Sequence, residues 1–299
     1  MLKASNLRKN YGNFEALKSV SFEIPSGSTT LLLGPNGAGK TTVIRCIMGF
    51  VDFEGTISID GLDVKTHGKE ARKKIGYIPQ HSAFYENLTV AQYGTLIAKL
   101  KRCDQSALTR ELEAANLKEK TDERVSALSS GMRQKLATAF ALINDPPIMI
   151  FDEPTSNLDH GAQMEFQGTL RRLSEDGRTI LITTHLSGLD EFASAAIVID
   201  KGEIVAEGTP GELLSTLRSL DSMHVRIGDG EAERARELVT EMVENISFQD
   251  GWLSFSSQRS SKAKVIDSLV KGGFNVEDIV IEPSTIESQY VRLLGRRRE

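Results

Sequence analysis

Apolar positions change their period along this chain. Val20, Phe22 and Ile24 alternate with polar residues, the pattern of a half-buried strand. Leu31-Leu32-Leu33 is unbroken and reads as a buried parallel strand. Ile75-Gly76-Tyr77-Ile78, Ile148-Met149-Ile150-Phe151 and Ile180-Leu181-Ile182 give three more short apolar strands. Leu2 to Tyr11 reads as an edge strand, and Pro25-Ser26-Gly27 turns the chain toward the leucine run. Ile57 and Ile59 alternate in a stretch that ends at the turn dipeptide Asp60-Gly61. Between residues 89 and 117 the period becomes helical, with Val90, Tyr93, Ile97 and Leu100 on one face and Leu108 and Leu112 on a second helix. This is a helical insert between parallel strands.

A different grammar begins after Thr209-Pro210-Gly211-Glu212, a capping box with proline at the first helical position. Val225 and Ile227 alternate; Ala235, Leu238, Val239, Met242 and Val243 share a helical face. Ile246–Gln249, Asp250-Gly251 and Trp252–Phe255 read as a hairpin that pairs Phe248 with Leu253 and Ile246 with Phe255. A second helix carries Ile266, Leu269 and Val270 and stops at Gly272-Gly273; Ile279 and Ile281 make a last strand. The order βαββαβ predicts a ferredoxin-like α+β domain over residues 219–299. A final helix with Ile286, Tyr290 and Leu293 on one face closes it.

Composition narrows the class. The 299 residues suffice for one large and one small domain. The net charge of −5 argues against nucleic acid as a partner. Cys46 and Cys103 have no metal or redox spacing and read as packed thiols of a reducing cytosol. No apolar run approaches the length of a membrane span, so a membrane role is expected through a partner.

The chemistry starts after the leucine run. Gly34-Pro35-Asn36-Gly37-Ala38-Gly39-Lys40-Thr41-Thr42 fits the phosphate-binding pattern G-x-x-x-x-G-K-[ST]. Glycines let successive N–H groups point into one concavity, and the following helix aims its positive end there. Lys40 is expected on the β- and γ-phosphates and Thr41 on Mg²⁺. The apolar strand from Ile148 ends in two carboxylates: Asp152 suits Mg²⁺, and Glu153 suits a general base for water. Tyr11, ahead of the turn glycine Gly12, is a candidate to stack on adenine, or a plain surface tyrosine. Gln80, at another strand end, reads as a ligand of metal or water, or as a solvated amide. His185 closes a further strand at the same kind of position. Ser129, Ser130, Gly131 and Met132 open a helix with free N–H groups, an ordinary cap or an anion site.

In this order the landmarks resemble the nucleotide-binding subunit of an ATP-binding cassette (ABC) transporter. The resemblance covers the first two-thirds of the chain. Tyr11 matches the aromatic loop, Gln80 the Q-loop and Leu128–Gln134 the signature. Ser156–Asp159 matches the D-loop and His185 the switch histidine. Ser130 and Met132 depart from the common L-S-G-G-Q, and Gly131–Gln134 resembles exporters of the ABC-2 type. The resemblance implies a P-loop ATPase domain at 1–217 with a helical subdomain at about 86–145. It implies ATP and Mg²⁺ as cofactors. It also implies a catalytic pair of Glu153 and His185, metal contacts from Thr41, Gln80 and Asp152, and a signature that serves the partner's site in trans. The implied partners are a polytopic membrane permease and a second copy or paralogous ATPase subunit, at the cytoplasmic face of the cell membrane. Soluble cassette ATPases of DNA, ribosome or iron–sulfur assembly are the alternative. The DNA-repair kind has a long coiled coil and the ribosomal kind two cassettes, and neither pattern occurs here.

Overall fold

The computed structural model describes the chain except residues 157, 184–188, 217–219, 229–230, 259–260 and 283–299. It divides into two compact units, Met1–Pro210 and Gly211–Glu299, a break that falls ahead of the expected residue 217.

In chain order the first unit holds β1 (Leu2–Tyr11), β2 (Phe14–Ile24), β3 (Thr29–Leu33), α1 (Lys40–Ile47), β4 (Glu54–Ile59), β5 (Leu62–Asp63), α2 (Gly68–Lys73) and β6 (Ile75–Ile78). Then come α3 (Val90–Lys101), α4 (Gln105–Ala114), α5 (Ser130–Leu142), β7 (Ile148–Asp152), α6 (His160–Glu175), β8 (Thr179–Thr183), β9 (Ala195–Asp200) and β10 (Glu203–Gly208). The short helix α7 (Pro210–Thr216) lies at the break.

One antiparallel sheet has the order β2-β1-β4-β5. β1 therefore runs inside its sheet and is not an edge strand. Leu2 pairs with Ile24 on one side and Ile59 on the other, and all three are fully buried. Its second partner arrives from more than fifty residues away, which a local pattern does not reveal.

The second sheet has the order β10-β9-β3-β8-β7-β6, parallel except for β10. Every residue of β3, β7 and β8 is buried, which is why these strands read as continuous apolar runs. In β8, β7 and β6 the register aligns Ile182 with Phe151 and Phe151 with Ile78. The C-terminal ends of β3, β8, β7 and β6 thus share one edge of the sheet, where open α/β sheets bind ligands.

Between β6 and β7, α3, α4 and α5 pack a core of their own around Val90, Leu108, Leu112, Leu136 and Phe140. Thr89 and Gln92 cap α3 reciprocally, worth about 1 kcal/mol for such a cap. Leu100 is not on the buried face: it is 71% exposed, and Gly94 and Ala98 take the buried positions beside Tyr93. Lys101 turns back instead, its ammonium donating to the Phe140 carbonyl at 2.7 Å, and burial lowers its pKa. Cys103 touches the Asn144 side-chain oxygen. Cys46 is buried in the main core, and burial pushes its thiol up to about 11. Among the described residues no helix is long and apolar enough to cross a membrane.

The second unit contains β11 (Leu220–Arg226), α8 (Ala232–Val239), β12 (Glu244–Gln249), β13 (Trp252–Gln258), α9 (Lys262–Lys271) and β14 (Asp278–Glu282). All pairings are antiparallel and the strand order is β12-β13-β11-β14, the ferredoxin-like arrangement. Asp250 and Gly251 both have positive φ, as the tight hairpin turn requires, and Phe248 pairs with Leu253. Ile246 does not pair with Phe255. The ladder slips between Glu244 and Ser247, where Asn245 takes a φ of 56°, so a bulge intervenes. α8 ends at Val239, which leaves Met242 off the helix and half exposed. On α9 the buried pair is Val265 and Leu269, while Val270 is 56% exposed. The expected last helix, with Ile286, Tyr290 and Leu293, lies outside the described residues.

We propose that the second unit folds separately and is dispensable for nucleotide binding. It has its own buried cluster, centred on Met223, Val225, Leu253 and Phe255. Residues 1–217 expressed alone are expected to be soluble and to bind ATP as tightly as the full chain. An insoluble or nucleotide-blind fragment would refute the division.

Candidate nucleotide site

β3 delivers Leu33 to the loop, and α1 leaves it at Lys40. Two glycines are required by space as well as by conformation. A Cβ on Gly34 (φ 150°) would stand 2.1 Å from the Ile199 carbonyl oxygen. One on Gly39 (φ 114°) would stand 2.9 Å from Leu17 and 3.1 Å from the Ala16 carbonyl oxygen. The loop is closed by the Ala38 N–H donating to the Pro35 carbonyl at 3.0 Å. Asn36 and Gly37 are exposed, and Thr42 is half-buried in the first turn of α1. No side chain caps that helix, so its first N–H groups face the loop.

Lys40 is 6% exposed, and its ammonium donates to the Gly34 carbonyl at 2.6 Å. It also lies 3.7 Å from the Glu153 carboxylate. Thr41 Oγ1 donates to Asp152 Oδ1 at 3.3 Å, and Thr183 Oγ1 donates to the same oxygen at 2.8 Å. Burial pushes the Asp152 carboxyl above its ordinary range, opposed by the hydrogen bonds from Thr183 and Thr41. Gln80 Nε2 donates to Glu153 Oε2 at 2.7 Å. The glutamate backbone sits at φ 45°, a region that costs a non-glycine residue about 1–3 kcal/mol. Its N–H is held by the Thr183 carbonyl at 3.0 Å and by Thr183 Oγ1 at 2.8 Å.

The fold therefore brings Lys40, Thr41, Gln80, Asp152 and Glu153 together from the ends of β3, β6 and β7. Gln80 reaches the group through its amide nitrogen on Glu153. The sequence pattern does not single out Thr183, yet it binds Asp152 and the Glu153 backbone at once. The signal was a hydroxyl at the end of an apolar strand, in register with Asp152.

Among the described residues, the other candidates share no hydrogen bond with this group. Tyr11 closes the β1–β2 turn opposite Phe14; it is 41% exposed, with the Lys9 ammonium 5.0 Å from its ring centre. Ser129 caps α5, accepting from the Met132 N–H at 3.3 Å, and Ser129 and Ser130 are exposed. Arg133 braces the approach to that cap, donating to the Leu128 carbonyl at 3.2 Å and the Ser126 carbonyl at 3.0 Å. Among the described residues no hydrogen bond joins Ser129–Met132 to the phosphate loop. Gly131 faces α6, where an added Cβ would meet Ala162 at 3.0 Å. Asp159 caps α6, accepting from the Ala162 N–H at 2.8 Å. His185 and Asn157 lie outside the described residues.

A phosphate loop on a central parallel strand, a carboxylate pair two strands away and a helical insert between them define an ATP-binding ATPase of the cassette type. The chain belongs to the ABC transporter family of ATP-binding proteins, whose family profile matches residues 17–156. It is 33% identical to the Nod factor export ATP-binding protein I of Cupriavidus metallidurans over 99% of this chain and 98% of that one. It is 29% identical to the linearmycin resistance ATP-binding protein LnrL of Bacillus subtilis over 99% of both. Among solved structures, the dimeric ABC transporter cassette MJ0796 superposes with a TM-score of 0.63 at 29% identity. The match covers 70% of this chain and 98% of that one. The same cassette is also known as a dimer bound to ADP and Pi after hydrolysis.

Proposed function

We propose that this chain is the ATP-hydrolysing subunit of an exporter, acting as a head-to-tail pair closed by ATP. The two relatives named above are ATP-binding proteins of Nod factor export and of linearmycin resistance, and the cassette that superposes on it is a dimer. The observation that carries the reading is that, among the described residues, the exposed start of α5 at Ser129–Gly131 shares no hydrogen bond with the phosphate loop. Lys40 and the loop amides supply charge on one side of the γ-phosphate, and phosphoryl transfer also needs donors on the far side. The exposed start of α5 supplies them when it comes from a second subunit. That subunit is a second copy or a paralogue.

Thr41 and Asp152 present hard oxygen donors side by side, and a buried carboxylate whose charged form is penalised by burial is suited to a divalent cation. This pair fits Mg²⁺, which would neutralise charge on the β- and γ-phosphates when bound. Glu153 takes the proton of the attacking water, with Gln80 orienting its carboxylate; His185 is its catalytic partner as the switch histidine. Tyr11 stacks on adenine and Asp159 lines the D-loop. Coupling to transport places the pair on the cytoplasmic face of the membrane, docked to a polytopic permease.

Specific activity is expected to rise with protein concentration, and Ser129→Arg to abolish that rise by crowding the signature. Capture from detergent-solubilised membranes is expected to retrieve the permease. Activity independent of concentration in a protein that stays monomeric during turnover would refute the paired mechanism. Capture that brings down no membrane protein would refute the transport assignment.

A further inference from the structure

A cavity of about 320 Å³ opens between the end of α4, α5 and α6. It is separate from the phosphate loop, and its size falls at the lower end of the range of small-molecule sites. Small residues make it: Ala115, Gly131, Ala139, Ala162 and Gly168 are all in its wall, with Leu142 and Phe166 as the larger apolar surfaces.

Two observations in this wall have no structural use otherwise. Gly168 sits in the middle of the sixteen-residue α6, where glycine is among the least favourable residues. Its φ is not positive, and an added Cβ would meet nothing within 4 Å, so neither conformation nor crowding requires it. Gln134 Nε2 is buried and has no hydrogen-bond partner among the described residues. Buried amide donors are normally paired, and an orphan calls for a missing acceptor.

The charges around the cavity define that acceptor. Glu111 is held by Arg110 at 3.0 Å, and Glu165 by Lys135 at 2.7 Å, so both lining carboxylates are engaged. Thr138 and Thr169 donate their hydroxyls to helix carbonyls. Arg172 lies one helical turn from Gly168 on α6 and has no ion pair among the described residues. The groups left over are the Gln134 amide inside, the Arg172 guanidinium at the rim and the exposed Asn116 amide, so the one full charge left is positive.

We infer that this cavity binds a small anionic amphiphile, a monocarboxylate whose apolar body lies on the alanine and glycine wall. One carboxylate oxygen accepts from the Gln134 amide, and the negative charge of the same carboxylate meets Arg172. The bound molecule spans α5 and α6, the two helices that start at the Ser129 and Asp159 caps.

The probes are decanoate and its uncharged analogue decanol, titrated calorimetrically below their aggregation limits into the full-length chain. Decanoate is expected to bind one to one and saturably, several-fold tighter than decanol. Gly168→Leu, which fills the open space in a helix that prefers leucine, should abolish saturable binding without lowering the melting temperature. Arg172→Gln, on the exposed surface, should keep binding but make decanoate and decanol equal; it carries the test if the leucine variant fails to fold. Non-saturable uptake by the wild type, unchanged binding in folded Gly168→Leu, or a full preference for decanoate in Arg172→Gln would each overturn the site. None of these readouts depends on ATP turnover, so they stand apart from the export assignment.

Discussion

Glu153→Gln is expected to lower ATP turnover by at least about 100-fold while leaving ATP affinity close to wild type. A positioned general base contributes roughly 10²–10⁴ in rate. The substitution removes basicity and little else. Glutamine keeps the length and the planar end group, and the backbone anchors to Thr183 do not involve the side chain. Gln80 still has a carbonyl oxygen to donate to. With hydrolysis stopped and binding intact, ATP should hold two subunits together long enough to elute as a dimer in size-exclusion chromatography. Adding Ser129→Arg should return that species to monomer. Steady-state turnover near the wild-type value would remove Glu153 as the base.

Lys40→Ala is expected to act one step earlier, on binding itself. The ammonium is nearly buried at the centre of the loop, on the Gly34 carbonyl. A hydrogen bond to a charged group is worth about 1.5–3 kcal/mol, which predicts a loss of ATP affinity of roughly 10- to 150-fold. A second effect adds to the first. Without the cation, the Glu153 carboxylate 3.7 Å away faces the triphosphate unscreened. Calorimetric titration of ATP separates this variant from Glu153→Gln, because one loses affinity and the other only rate. Unchanged affinity would refute the placement of Lys40 on the phosphates.

The contrast between these two residues and Thr183 shows what local sequence conveys. Gly34, Gly39 and Lys40 occupy a fixed spacing, the glycines where the loop backbone passes too close to Ile199, Leu17 and Ala16 for a side chain and the lysine where the loop presents a cation, so the pattern announces the site. Thr183 acts only because β8 lies beside β7 in the sheet, and that adjacency is set by pairing across some thirty residues. The same limit explains β1. Its alternation was legible, but the arrival of β4 on its second side was not. The apolar period of a helix overruns its buried face for the same reason. Leu100 and Val270 keep the apolar period but fall where a neighbouring helix no longer covers them. The hairpin at Asp250-Gly251 was legible because its turn is specified by two adjacent residues, whereas the slip at Asn245 depends on how β12 settles against β13. The role of Ser129 was half legible. A cap is visible in sequence, but in the reading proposed above the phosphate it serves is held by a second molecule.

The left-handed backbone of Glu153 has a consequence beyond the geometry of the site. A glycine or asparagine would occupy that φ of 45° more comfortably, so selection for a robust fold alone would drift away from glutamate here. For the reaction proposed above, only a carboxylate will serve. Position 153 is then a point where durability and turnover pull in opposite directions. Sister chains that have given up hydrolysis, keeping the cassette as a nucleotide-gated clamp, would be free to relax at this residue first.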